Sequence, residues 1–125
     1  MDDRIKILLA EDDRNLGNIL KSYLEAKGYE TSLCINGKEA WEAFAKDTYD
    51  LCILDIMMPD IKGPQVCKNV KMNEGTKDIK IIVLSAYLDD EKFKQMKEYG
   101  ADVCFSKPLP LPQLKEEVAR LLELS

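Results

Sequence analysis

Asp50-Leu51-Cys52-Ile53-Leu54-Asp55-Ile56-Met57-Met58-Pro59 runs through four consecutive apolar residues into a lone carboxylate. A short apolar run without polar alternation reads as a strand buried on both faces, the kind found in parallel sheets. Runs of similar character lie on either side, so strands are expected over Ile5 to Ala10, Thr31 to Ile35, Asp50 to Leu54, Lys80 to Leu84 and Asp102 to Phe105. Between and after them come five stretches with apolar residues at helical spacing. The first carries Leu16, Ile19, Leu20, Tyr23 and Leu24 and stops near Gly28, which suits a left-handed cap. In the second, Asn36 with Glu39 three residues on is a capping-box pattern, and Ala40, Trp41 and Phe44 form an apolar stripe that places Trp41 in the core. The third opens at Gly63-Pro64 and turns Val66, Cys67 and Val70 inward. The fourth runs from Asp89 or Asp90 through Phe93 and Met96 to the region of Tyr99, and the fifth follows Pro112 with Leu114, Val118, Leu121 and Leu122. Strand and helix alternating in this way imply parallel neighbours joined by right-handed helical crossovers. The expected fold is therefore α/β, a doubly wound parallel sheet of five strands covered on both faces by five helices.

Composition narrows the chemistry. A chain of 125 residues, 46% hydrophobic and 33% charged, suits a single domain over residues 1–125 that buries a core without disulfides or a structural metal. No apolar run approaches the roughly 18 residues that span a bilayer, and Met1-Asp2-Asp3-Arg4 is not a secretory leader, so a cytoplasmic location without membrane association is expected. Cys34, Cys52, Cys67 and Cys104 have no paired spacing of the zinc or thioredoxin kind and read as reduced, mostly as small core hydrophobes. Histidine is absent, which removes histidine triads, imidazole metal sites and histidine phosphorylation. A net charge of −5 weighs against binding nucleic acid through its phosphates.

In doubly wound sheets ligands bind beyond the carboxyl ends of the strands, where strand order reverses. Here those ends are polar: Glu11-Asp12-Asp13 after the first strand, Asp55 after the third, Ser85 after the fourth and Lys107-Pro108 after the fifth. Each has a bland reading in isolation. An acidic cluster after a strand is often a solvated turn or helix cap, a serine there can satisfy backbone groups, and a lysine can simply be exposed. Asp55 is the exception, because a carboxylate between Leu54 and Ile56 has no evident structural task. Carboxylates, a hydroxyl and an ammonium at four strand ends fit one site better than four separate accidents.

Through Ile7-Leu8-Leu9-Ala10-Glu11-Asp12-Asp13, Asp55-Ile56-Met57-Met58-Pro59-Asp60, Leu84-Ser85-Ala86 and Lys107-Pro108 the sequence resembles the receiver domain of two-component response regulators, over essentially its whole length. The resemblance implies a flavodoxin-like, CheY-like sheet in the order 2-1-3-4-5. It also implies bound Mg²⁺, with Mn²⁺ as an alternative, and transfer of a phosphoryl group from a sensor histidine kinase or phosphotransfer protein to Asp55. In that scheme Asp12, Asp55 and the backbone carbonyl of Met57 hold the metal, with Glu11 acting mainly through water. Lys107 and Ser85 contact the phosphoryl oxygens, and Ala86 leaves room for them. The Lys107-Pro108 peptide is expected to be cis. The chain then signals by phosphorylation-dependent change of its helix 4, strand 5, helix 5 face, acting on a downstream partner or output domain, with a homodimer linked to phosphorylation as one outcome. Apart from catalysing its own phosphorylation and dephosphorylation it is not an enzyme, and no output domain lies within these residues.

The residues agree with those roles. A carboxylate is already ionised at neutral pH, so Asp55 needs no general base as nucleophile; the protein's tasks are alignment and charge neutralisation. Glu11, Asp12 and Asp55 brought together would repel by roughly 4 kcal/mol per pair at about 4 Å, a conflict that a hard divalent cation relieves. Two positions depart from the family pattern. Cys104 stands where a switch tyrosine or phenylalanine is usual, so the rotamer switch that couples Ser85 to the output face is expected to be weaker or to pass through Tyr87. Lys62 stands before Gly63, where acidic or small residues are common. Among other classes, a dehalogenase-type phosphatase needs a second aspartate two residues after the nucleophile, where this chain has Met57. A nucleotide or flavin carrier needs a phosphate loop in place of Glu11-Asp12-Asp13-Arg14. A degenerate receiver serving only as an interaction module is the alternative that remains.

Overall fold

The computed structural model describes residues 4–60, 63–86 and 89–123. Its elements alternate as β1 (Lys6–Ala10), α1 (Arg14–Ala26), β2 (Glu30–Cys34), α2 (Gly37–Lys46), β3 (Leu51–Asp55), α3 (Gly63–Met72), β4 (Lys80–Ser85), α4 (Asp90–Glu98), β5 (Val103–Ser106) and α5 (Leu111–Glu123). The strands form one parallel sheet in the order β2-β1-β3-β4-β5, as the family resemblance implies.

Alternation along each strand builds two cores. Leu8, Ala10, Cys52, Leu54, Ile81 and Val83 point to one side, where α2, α3 and α4 contribute Ala40, Val66, Cys67, Val70 and Met96. Ile7, Leu9, Leu51, Ile53, Ile82 and Leu84 point to the other, against Leu20 and Leu24 of α1 and Leu114, Val118 and Leu121 of α5. Double coverage is why these strands are unbroken apolar runs. Each fully buried leucine or isoleucine contributes about 1.5–3 kcal/mol by leaving water.

Local chemistry sets the helix ends. Asp13 caps α1, its carboxylate accepting from Asn15 and Leu16 N–H at 3.0 and 3.2 Å. Gly28, just past the end of α1, has φ +94°, the left-handed geometry expected of it. Asn36 Oδ1 accepts from Glu39 N–H at 2.8 Å, while Glu39 Oε1 reaches back to Ile35 N–H at 3.0 Å, one residue before the cap. Asp89 accepts from Lys92 N–H at 2.7 Å and starts α4.

Several expectations need correction. Trp41 is not in the core: it is 40% exposed, because Ala40 takes the inward position of α2 and the neighbouring residue, turned by about 100°, lies on the flank. The indole leans on Phe44 with ring centroids 5.8 Å apart. Ile19 and Phe93 are also exposed, at 54% and 41%. Thr31 to Ile35 shifts by one residue, so Ile35 falls outside β2, and β3 extends to include Asp55. Helix α5 opens at Leu111 with Pro112 inside its first turn instead of following Pro112. All four cysteines are free and buried. No helix among the described residues is long and apolar enough to cross a membrane. Lys62 and Tyr87 lie outside the described residues.

Candidate functional site

Strand register decides which side chains meet. Ala10 pairs with Leu54 and Asp55 with Leu84, so Glu11 and Asp55 leave β1 and β3 at the same level, and Ser85 ends the adjacent β4 one residue further on. Ser85 pairs in turn with Ser106, and the Lys107 N–H donates to the Ser85 carbonyl at 2.9 Å, bringing the fifth strand's lysine to the same rim. The Lys107-Pro108 peptide is cis.

Glu11, Asp12 and Asp55 offer carboxylate oxygens that all lie within 4.8 Å of one another. Glu11 is fully buried and Asp55 is 2% exposed, whereas Asp12 faces solvent, so the cluster opens to water on one side. Lys107 bridges the two buried carboxylates, with Nζ 2.7 Å from Glu11 Oε1 and 2.8 Å from Asp55 Oδ2. The other Asp55 oxygen, Oδ1, accepts from Met57 N–H at 2.9 Å, and Glu11 Oε2 accepts from Asp13 N–H at 3.3 Å. Asp55 is thereby held at both oxygens, one by the ammonium and one by the loop that follows it.

Electrostatics divide the two buried acids. Burial, then the neighbouring Asp55 carboxylate, push Glu11 up to about 7 against the pull of Lys107. Burial acts to raise Asp55 too, but hydrogen bonds from Glu11, Lys107 and Met57 N–H outweigh it and hold Asp55 below the usual carboxylate range. Of the two buried acids, Glu11 is therefore pushed toward its protonated form and Asp55 is held toward its ionised form. Burial would lower Lys107, but its bonds to Asp55 and Glu11 win and raise it, so it stays an ammonium. An ionised, oriented carboxylate with a cation against it is equipped to act as a nucleophile.

Three oxygen donors with one face open to solvent fit a hard divalent cation such as Mg²⁺, which keeps several waters and takes few protein ligands. Burial first, and then the neighbouring Asp55 carboxylate, push Glu11 up, and the second of these is a conflict that such an ion relieves. No nitrogen or sulfur donor belongs to the group, which disfavours softer metals.

Ser85 is fully buried at the end of β4, and Ala86 beyond it is exposed. Cys104 does not reach the rim; it lies 9% exposed in the core beneath α3 and α4, with its thiol pushed up by burial. The Met57 side chain is 43% exposed, between buried Ile56 and Met58. Sequence reasoning assigned no role to Asp60, both of whose carboxylate oxygens accept from Gly37 N–H at 2.9 Å, 23 residues away at the start of α2. Nothing local marks that bond, because its donor is a backbone group on a different element. An open groove of about 920 Å³ lies elsewhere, between the ends of α2 and α3, lined by Trp41, Phe44 and Met72 without a cluster of acids.

Known proteins resemble this chain in sequence and fold. Residues 7–119 match the family described as the response regulator receiver domain. The chain is 38% identical over 122 residues to the transcriptional regulatory protein RprY of Bacteroides fragilis (strain YCH46), covering 98% of this chain and 51% of that protein. It is 29% identical over 119 residues to sporulation initiation phosphotransferase F of Bacillus subtilis (strain 168), covering 95% of this chain and 94% of that protein. Among solved structures, a two-component response regulator from Clostridium difficile superposes with a TM-score of 0.89 at 28% identity, covering 96% of this chain and 97% of that one. The chain spans about half the length of several curated relatives that it matches.

Proposed function

The chain belongs to the response regulator receiver family of two-component signalling, and from that premise we propose that Asp55 accepts a phosphoryl group from a histidine kinase or phosphotransfer protein in a Mg²⁺-dependent reaction. The observation that carries this reading is the state of Asp55: buried, ionised, and held at one oxygen by Lys107 and at the other by Met57 N–H. One Asp55 oxygen attacks phosphorus as the bond from phosphorus to the donor's imidazole nitrogen breaks, and that nitrogen leaves with the electron pair and takes up a proton. Asp12, Asp55 and the Met57 carbonyl would hold Mg²⁺, with Glu11 acting mainly through water. When bound there, the ion would supply positive charge to the transferring group.

The chain's own residues do the rest. Lys107 moves its ammonium onto a phosphoryl oxygen, exchanging one anionic partner for another. Ser85 donates its hydroxyl to a second oxygen, and the small side chain of Ala86 leaves space beside it. Movement of Ser85 alters the face made by α4, β5 and α5, where buried Cys104 transmits less than an aromatic ring would. The output is a downstream partner or a further domain, in a cytoplasmic setting, and a phosphorylation-linked homodimer is one form of it. Passing the phosphoryl group onward in a relay is the other form of output.

Intact-mass spectrometry after incubation with Mg²⁺ and acetyl phosphate tests the assignment. One phosphoryl adduct is expected, lost in Asp55→Asn and in EDTA. A persistent adduct in Asp55→Asn would move the acceptor elsewhere, and no adduct under any condition would favour a pure interaction module.

A further inference from the structure

We propose that Asp60 is a positioning residue for the nucleophile: by clamping the start of α2 it holds the loop from Ile56 to Asp60, and so the Asp55 carboxylate, in its reactive orientation. This rests on the phosphoacceptor reading of Asp55. The loop's near end is fixed by Ile56 N–H donating to the Leu84 carbonyl at 3.1 Å and by burial of Ile56 and Met58. Between them Met57 N–H fixes Asp55 Oδ1 at 2.9 Å, although the Met57 side chain is open to solvent. Pro59, which follows, lacks an N–H and can tie the loop to nothing by donation. The next anchor is Asp60, whose two oxygens both lie 2.9 Å from Gly37 N.

That anchor is strong for its size. Asp60 is an anion on the first N–H of α2, where the helix dipole favours negative charge, and the bond is charge-assisted. Asn36 already takes Glu39 N–H, so Asp60 meets a donor that the local cap leaves over. Helix α2 is in turn seated by Ala40 in the core and at its start by β2, whose Cys34 carbonyl accepts from Glu11 N–H at 2.9 Å. The clamp therefore joins the two sides of the site: Glu11 and the start of α2 on one, Asp55 and Met57 on the other. Without it the Met57 N–H that aims Asp55 Oδ1 gains freedom. Misplacing a reacting group by about 1 Å costs up to about 100-fold in rate, so loss of the Asp60 anchor is expected to slow transfer by about tenfold.

The test compares Asp60→Ala and Asp60→Asn with the unaltered protein by two readouts. The first is amide hydrogen exchange followed by NMR. Asp60→Ala is expected to speed exchange at Gly37 and Met57 by about tenfold while Leu8, Ile53 and Leu84 keep their protection, the mark of local opening. Asp60→Asn, which retains an acceptor oxygen, is expected to restore most of the Met57 protection. The second is the rate of adduct formation with acetyl phosphate in excess Mg²⁺, expected to fall about tenfold in Asp60→Ala and recover in Asp60→Asn in parallel with Met57. Unchanged exchange at Met57 in Asp60→Ala overturns the proposal whether or not the protein takes up phosphate, and a uniform rise at all amides would reduce Asp60 to a stabilising cap. If the unaltered protein takes up no phosphoryl group, the phosphoacceptor reading fails, while the exchange at Met57 still decides whether Asp60 holds the loop.

Discussion

Replacing Lys107 by methionine keeps the aliphatic stem and removes the ammonium that lies 2.7 Å from Glu11 Oε1 and 2.8 Å from Asp55 Oδ2. At about 4 Å and an effective dielectric of about 20, each such charge pair amounts to about 4 kcal/mol. Rehydration of the lysine in the unfolded chain and proton uptake by Glu11 offset part of this, and removing one partner of a buried pair costs about 3–5 kcal/mol. The Lys107 side chain is 22% exposed and Asp12 opens the cluster to water, which places the loss at the low end. The expected destabilisation without a divalent cation is therefore about 3 kcal/mol. Mg²⁺ would supply the missing positive charge, and the ammonium that competes with it is gone. A tenfold tighter site returns about 1.4 kcal/mol in saturating Mg²⁺, leaving about half the loss. Urea unfolding followed by circular dichroism, in EDTA and in excess Mg²⁺, with equal m-values in all four curves, measures both quantities. An equal loss in the two buffers would refute the idea that lysine and metal neutralise the same carboxylates, and no loss in EDTA would mean that the ion pair contributes nothing.

Gly28 and Gly100 both have positive φ, +94° and +109°, but an added Cβ meets nothing within 4 Å at Gly28 and lies 2.6 Å from Lys71 Cγ at Gly100. Gly28→Ala is expected to cost about 1–2 kcal/mol of backbone strain. Gly100→Ala should cost about 1 kcal/mol more, because Lys71 must leave its bond to the Ile79 carbonyl; urea midpoints in the reverse order would contradict this. Burial pushes Cys34 up to about 11 and Cys67 up to about 12, so the native thiols should resist a thiol-labelling reagent at neutral pH and react fully in urea. The folded state keeps protons that the unfolded thiols release near pH 8.5, so stability should fall as pH rises from about 8.5 toward 11, by up to about 1.4 kcal/mol per thiol per pH unit; a shallower slope is expected in Cys34→Ala combined with Cys67→Ala, with buried Cys52 and Cys104 supplying what remains. Beryllofluoride, a phosphoryl mimic, should shift the amides of Ser85 and Ala86 more than those of Cys104 and Phe105, and large shifts confined to β5 would contradict a weak Cys104 relay.

The unbroken apolar runs ending in Asp55 and in Glu11 were enough to specify strands covered on both faces, and the capping signals at Asn36 and Gly28 were enough to bound helices, because these are local properties of period and backbone chemistry. Trp41 was misassigned because an apolar stripe does not say which of its members points inward; Ala40 took that position when α2 met the sheet. The carboxylates, Ser85 and Lys107 were recognisable as strand-end residues from sequence order alone. Their mutual distances were not, since they depend on the register that sets Ala10 beside Leu54 and Asp55 beside Leu84. The same limit hid Asp60, whose partner is the N–H of Gly37 on another element. What the sequence determined by itself was the order of elements and the residue types at their ends, since both follow from local periodicity and side-chain chemistry. Only the tertiary structure decided that Glu11 is pushed up while Asp55 is held down, because that division arises from burial and from Lys107, 52 residues beyond Asp55, and neither exists until the strands are side by side.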